Sequence, residues 1–472
     1  MTEITVTLAD TLRMKRILAL LLLAVMTLGL FASCGNTADP VKESGTSADT
    51  LLETKPETEP ETEPETEPEP KLKPYEFDGK ITEEVLCQYL ARAVTIASRN
   101  ILEWDGQNGF HIKRYILNTG AKYIARANDA WVFEKTDDDR WGIQKTFIDE
   151  MHQEDPDIVF EACIFENVWY WGVYNVPIPE YVFRAFGKEP EQREFVYKDM
   201  LFPDNTYKDH WGMDQSVPDI TQEETQMFFY YRATRYIDAG FEALHLGQVN
   251  LMGAHDKNWA CFSKVVKMIR EYATEHARRH FVFLNAHTHG IIGTDGNLLF
   301  DFHMYPSRPA PVSGQTAHGP SEDHPQEACF EVGYIDSIYG KSLGGKTYSG
   351  WECDALPYLV ELDNFGGVNY NSFFKPTRGE IWIWGMDEIS WFGSQPDWYR
   401  EEFLRYAIEW IAEHSDGKGF FAMPAQREAR LYGETGEPPF ALMYYGYSKE
   451  FFDVANNDEL IVKKIWSEMP AP

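Results

Sequence analysis

Apolar residues recur along this chain with two different periods. Thr82–Arg99 opens on Thr-Glu-Glu and carries Val85, Leu86, Tyr89, Leu90, Ala93 and Val94 on one stripe, the spacing of an amphipathic helix with a capped start. The same period predicts helices over Trp141–Gln153, Gln222–Ala239, Asn258–Arg279, Asp397–His414 and Lys449–Met469. Between them stand short apolar runs of strand length: Lys122–Ala127, Asp157–Phe165, Phe241–Val249, Phe281–His287, Leu298–Met304, Tyr358–Phe365, Glu380–Met386 and Gly419–Met423. Strand–helix alternation argues for an α/β fold with a parallel sheet, and eight such runs predict a (β/α)8 barrel. The barrel is degenerate, because His287 to Leu298 leaves no room for a helix and Gly366 to Gly379 shows no helical period. A doubly wound open sheet is the structural alternative.

Reading the strands with period two exposes a second pattern. One face of Phe281–His289 carries Asn285, His287 and His289; one face of Leu299–Tyr305 carries Asp301, His303 and Tyr305. Glu361 and Asp363 share a face, as do Arg126 and Asn128. Ionisable groups are costly to bury unless paired or hydrogen-bonded, so polar residues in strand after strand point to a shared polar interior. Those near strand C-terminal ends gather at the mouth where barrel enzymes build their sites. By position these are Glu166, Gln248, Asn250, His287, His289, His303, Asp363, Asp387 and Glu388. Glu161, Glu242 and Asp301 sit mid-strand or earlier, where a structural ion-pair role is expected.

The N-terminus has a different character. Lys15-Arg16 precedes the apolar stretch Ile17–Phe31, which falls short of the roughly 20 residues a membrane span needs and matches a secretory signal instead. Met1–Arg13 lies upstream of that signal, so Met14 is the expected natural start. Leu30-Phe31-Ala32-Ser33-Cys34-Gly35 resembles the lipobox of bacterial lipoproteins, with Phe31 where Leu is usual. That resemblance implies that Cys34 is lipidated and holds the chain at the membrane outside the cytoplasm. Residues 35–74 include a Glu-Thr-Glu-Pro repeat with nothing to bury, an extended acidic linker. The expected organisation is therefore a signal peptide over 1–34, a disordered linker over 35–74 and one domain over 75–472.

Charge and cysteines narrow the function. Asp and Glu number 75 against 43 Lys and Arg, a net charge of −32 that repels phosphate backbones and sets nucleic acid aside. No two cysteines form a close pair, so a structural zinc site is not expected; Cys329 and Cys353 flank a Gly-rich segment and could form a disulfide. There is no Gly-x-Ser-x-Gly elbow and no Gly-x-Gly-x-x-Gly loop, and no cofactor is expected. Gly340–Thr347 fits the phosphate-loop pattern formally, but no strand leads into it and no helix follows.

Three chemistries remain. Glycoside hydrolysis needs two carboxyl groups across a cleft and flat faces for sugar rings. Glu166 is followed by Trp169, Tyr170 and Trp171; Trp382 and Trp384 precede Asp387 and Glu388, and Trp391 follows. The whole resembles, in architecture, the glycoside-hydrolase-type barrels of bacterial surface lipoproteins, which implies an oligo- or polysaccharide partner. The alternatives are metal-dependent hydrolysis by His287, His289, Asp301 and His303, and glycan binding without turnover. His287-Thr288-His289 resembles the metal pair of amidohydrolase barrels. The expected catalytic pair is Glu166 and Glu388, with Asp363 in reserve. Arg126, Asn128, Gln248, Asn250, His287, His289, His303, Trp384 and Asp387 are the expected substrate-binding residues, and no metal is expected in the hydrolase reading.

Overall fold

The computed structural model describes residues 73–97, 107–133, 137–312, 323–334, 336–364, 383–384, 386–431 and 441–469. The expected signal, the linker and Cys34 lie outside the described residues, apart from the linker's last two positions. So do Glu380 to Trp382 of the seventh expected strand.

The fold is mixed α/β, built on one large curled sheet of parallel strands. The first expected helix ends early. Helix α1 (Glu83–Leu90) starts at Thr82, whose hydroxyl accepts from the Val85 N–H at 3.2 Å. Ala93–Ile96 is then a strand, β1. Ala93 and Val94 fit either period, but Val94-Thr95-Ile96 is β-branched throughout and pairs with a strand on each side.

Strands β2 (Tyr123–Asn128), β3 (Val159–Cys163), β4 (Ala243–His245), β5 (Phe283–Ala286), β6 (Phe302–Pro306) and β7 (Tyr358–Glu361) follow in chain order, each parallel to the last. The next strand, β8, comprises Gly419–Phe421 and Met423–Leu431, with Ala422 between them. Its first part pairs with β7, placing Tyr358 opposite Gly419. Its second part pairs with β1, placing Val94 opposite Met423. Both ends of the curl thus meet in one segment. Strand β9 (Ala441–Tyr445) adds to β8 antiparallel. The expected strand at Glu380–Met386 is, where described, an isolated bridge between Ile383 and Met386; β1 takes its place in the count.

Helices α2 (Gln107–Thr119), α3 (Asp137–Glu154), α4 (Glu223–Asp238) and α5 (Ala260–His276) link successive strands from β1 to β5. Helices α6 (Glu388–Gly393) and α7 (Asp397–His414) link β7 to β8, and α8 (Asp458–Glu468) closes the chain. Among the described residues no helix lies between β5 and β7; for β5 to β6 the short span His287–Leu298 predicts this. Helix α7 buries Tyr399, Arg400, Phe403, Leu404, Ala407 and Ile411, one face at helical spacing.

Strand parity separates two cores. Tyr123, Val159, Ala243, Phe283, Phe302, Leu359 and Ala422 pack inside the curl with Phe77 and Tyr89. The alternate residues Ile124, Phe160, Leu244, Leu284, Val360 and Phe421 pack outward with the helices. Each fully buried Leu, Ile or Phe contributes roughly 1.5–3 kcal/mol, so a one-residue slip of any strand is strongly opposed. Two residues beyond the apolar inner layer, the same parity places Glu161, His245, Asn285 and Glu361 inside.

Parity also corrects one expectation. Asp301, His303 and Tyr305 alternate with the inner residues Phe302 and Met304, so their face is the outer one. Asp301 there accepts from Arg270 of α5 at 3.0 Å. Glu242 is likewise structural, bonded to Arg278 at 2.7 Å and Arg279 at 2.8 Å. Cys329 and Cys353 are free thiols rather than a disulfide. Among the described residues no helix is long and apolar enough to cross a membrane.

Candidate active site

A cavity of about 550 Å³ opens at the C-terminal ends of the strands. Its walls include Arg126 from β2, Glu166 beyond β3, His245 of β4 with Gly247 and Gln248 beyond it, His287 beyond β5, Asp363 beyond β7 and Arg427 of β8. Five of the expected site residues meet here: Glu166, Asp363, Arg126, Gln248 and His287.

Glu166 is buried and held by one neighbour. The Gln248 backbone N–H donates to Oε2 at 2.8 Å and its side-chain amide donates to Oε1 at 2.9 Å. Gly247 makes this approach possible. It has φ +60°, a conformation costly to any residue with a Cβ, and a Cβ there would lie 2.0 Å from Glu166 Oε2. Burial raises the Glu166 carboxyl above the usual carboxylate range, with the two Gln248 bonds opposing.

Asp363 sits in the opposite environment. Burial would raise its carboxyl too, but Arg427, Arg308 and Arg126 outweigh that and hold it below its ordinary value. Arg427 Nη2 lies 2.7 Å from Oδ1 and Arg308 Nη1 lies 3.5 Å from Oδ2. Beneath them, buried Glu361 is bonded to Arg126 and, at 3.0 Å, to Arg427, which fixes both guanidiniums at the cavity floor. Arg126 adopts φ +55° at an irregularity in the β2–β3 register, a strained geometry at the cavity wall.

Glu388 does not reach the cavity. It lies in the first turn of α6 and accepts from the Ser307 hydroxyl at 2.7 Å, the Arg308 N–H at 3.1 Å, Arg308 Nη1 at 2.8 Å and the Asp363 N–H at 3.0 Å. Four donors satisfy both oxygens, so this carboxylate orients Asp363 and Arg308. Asp387 caps the same helix, accepting from the Ser390 N–H and hydroxyl at 2.8 Å each; burial pushes its carboxyl up to about 6.

The remaining expected residues scatter. Asn128 is buried and accepts from the Ala130 N–H at 3.3 Å. Asn250 and His289 are exposed outside the cavity lining. His303 is buried on the outer face against the Ser342 hydroxyl at 2.7 Å, and burial lowers its imidazole to about 3. Trp384 donates to the Glu327 carbonyl at 3.1 Å, away from the lining. The four members of the expected metal set therefore do not converge. Among the described residues no group of three or more His, Cys, Asp and Glu could hold a metal ion.

The aromatic wall comes from elsewhere. Trp131 lines the cavity, 36% exposed, with its ring 5.3 Å from Phe165 and 5.1 Å from Trp211. Trp211 Nε1 donates to the Glu166 carbonyl at 3.0 Å, tying this wall to the carboxyl. Trp131 follows the end of β2 with no apolar run to announce it. Asp129, Gln215, Arg427 and His245 also line the cavity outside the expected set. In the sequence His245 is the one polar residue at the alternate positions Phe241, Ala243, His245, Gly247 and Val249.

The chain matches no protein-family model and no curated protein. Among solved structures it is weakly similar to a debranching enzyme from Nostoc punctiforme. In the native form the identity is 12% over 80% of each chain, with a TM-score of 0.33. In the acarbose-soaked form the identity is 11% over 80% of this chain and 82% of that one, with a TM-score of 0.34.

Proposed function

We propose that this protein is carbohydrate-active and hydrolyses a glycosidic bond in a degenerate (β/α)8 barrel, with Glu166 and Asp363 as its two carboxyl groups. One observation carries the reading: of the four carboxyls that line the cavity, Glu166 and Asp363 sit in environments that move them in opposite directions. Such a pair divides naturally into a proton donor and a permanently charged partner. Glu166, raised by burial, protonates the leaving oxygen. Asp363, kept ionised by arginines, acts on the opposite side as nucleophile or as base for water. General acid catalysis of this kind contributes about 10²–10⁴-fold to the rate. Trp131 supplies a ring face for a sugar, and Arg126, Gln248 and His287 supply polar contacts.

The N-terminal pattern supports an address as well. We propose that Cys34 carries a lipid and that the acidic linker holds the domain off a bacterial membrane. Recovery of the Cys34→Ala chain in the soluble fraction, with the wild type in the membrane fraction, is the expected result; equal partitioning contradicts it.

The functional test is product release from a broad oligosaccharide panel incubated with the full chain, followed by mass spectrometry. Shorter sugars are expected. Glycan retained on the protein but intact would instead make this a binding protein without turnover.

A further inference from the structure

Three buried side chains on adjacent strands, Glu161 of β3, His245 of β4 and Asn285 of β5, form a hydrogen-bonded chain that reaches the cavity wall at His245. Glu161 Oε1 accepts from the Tyr123 hydroxyl and from Asn285 Nδ2, each at 2.6 Å. Its Oε2 accepts from the Arg126 N–H at 3.0 Å. Burial raises this carboxyl and the three donors oppose the shift. A carboxylate offers only lone pairs, so the Asn285 amide nitrogen must face Glu161 and its oxygen must face away.

That oxygen lies 2.6 Å from His245 Nδ1. An oxygen there requires a proton on Nδ1, so the neutral ring keeps its lone pair on Nε2. Burial and the positive charge of Arg126 and Arg427 hold the ring neutral. Among the described residues nothing donates to Nε2, while His245 lines the cavity together with Gly247 and Glu166.

We propose that His245 is a specificity residue whose bare Nε2, oriented by Glu161 through Asn285, accepts a hydrogen bond from a hydroxyl of the bound molecule beside Glu166. The inference rests on the carbohydrate reading and adds to it. The sugar ring must present a free hydroxyl at this wall, and a ring lacking it there leaves a buried acceptor unpaired. A site built around a hydroxyl rejects analogues without one more strongly than a hydrophobic pocket rejects a missing methylene.

Ring ¹H–¹⁵N NMR on the full chain with labelled histidines reads the tautomer directly. His245 is assigned by the signal lost in His245→Phe or, should that variant not fold, by through-space contact with Phe165, whose ring lies 5.8 Å away. The expected result is a proton on Nδ1 and none on Nε2; a proton on Nε2 overturns the inference. Glucose, galactose, mannose, xylose and N-acetylglucosamine are then added in turn. A sugar that perturbs the Gln248 side-chain amide is expected to shift Nε2 as well. A sugar that perturbs Gln248 and leaves Nε2 unmoved overturns the contact. If none perturbs Gln248, the carbohydrate reading fails and the hydroxyl contact falls with it, while the tautomer result stands by itself. On any substrate that is turned over, His245→Phe is expected to lose roughly tenfold in kcat/KM, the scale of one hydrogen bond.

Discussion

Gly247 and Glu166 approach so closely that one added carbon would separate them: a Cβ on Gly247 falls 2.0 Å from Glu166 Oε2. The left-handed backbone at Gly247 turns the Gln248 N–H onto the same oxygen. Gly247→Ala should therefore displace the carboxyl as well as strain the loop. Expected are a stability loss of roughly 1–3 kcal/mol and a disproportionate loss of turnover in the molecules that remain folded. Denaturant unfolding beside active-site kinetics checks this, and unchanged turnover would contradict the geometry.

The pH profile should follow the two carboxyls. Turnover needs Asp363 ionised and Glu166 protonated. It should rise as pH climbs through the lowered Asp363 value and fall as pH climbs through the raised Glu166 value. Gln248→Leu removes one donor to the ionised form of Glu166 and so raises its pKa further. The falling limb of the profile should move to higher pH. A limb that stays put or moves down would remove Glu166 from the role of acid.

Glu388 should behave as a structural partner. Its replacement by Gln takes a buried counter-charge from Arg308, which keeps Asp336 at 2.7 Å and Asp363 at 3.5 Å. A loss of about 3 kcal/mol in unfolding free energy is expected, near the low end for a broken buried pair because those partners remain. Stability equal to the wild type would show that the four bonds to Glu388 contribute little.

Asp387 gives a prediction of opposite sign. Its folded pKa, about 6, stands above its ordinary value of 3.8, so the folded state binds this proton more readily than the unfolded chain. The charged form costs stability at neutral pH, by at most about 3 kcal/mol, and that cost fades as pH falls from 6 toward 4. Asp387→Asn keeps a capping side chain and removes the charge. Thermal unfolding at pH 7 should show it at least as stable as the wild type; a markedly lower Tm would contradict the assignment.

The strands that carry the site were legible because buried parallel strands read as apolar runs between helices. Glu166 was legible because it directly follows such a run, and Asp363 because it is a charge near the C-terminal end of one. Strand β1 was hidden because Ala93 and Val94 continue the stripe of α1, and only pairing with β2 and β8 distinguishes the two readings. Glu388 was misplaced for a related reason: Glu380 to Met386 reads as a strand, so the residues after it looked like a strand end, whereas Glu388 begins a helix. The outward turn of His303 depends on which face of β6 meets the inner core, and period two alone does not say which. His245 was hidden because a single polar residue on an apolar face carries no signal until its neighbours Asn285 and Glu161 are placed.

The most direct test compares product release from the oligosaccharide panel by the wild type, Glu166→Gln, Asp363→Asn and Glu388→Gln, each at equal folded concentration. Turnover by the wild type, its loss in the first two variants and a reduced but measurable rate in the third, where only a positioning partner of Asp363 is changed, would support Glu166 and Asp363 as the working pair. Wild-type rates in either Glu166→Gln or Asp363→Asn would contradict it.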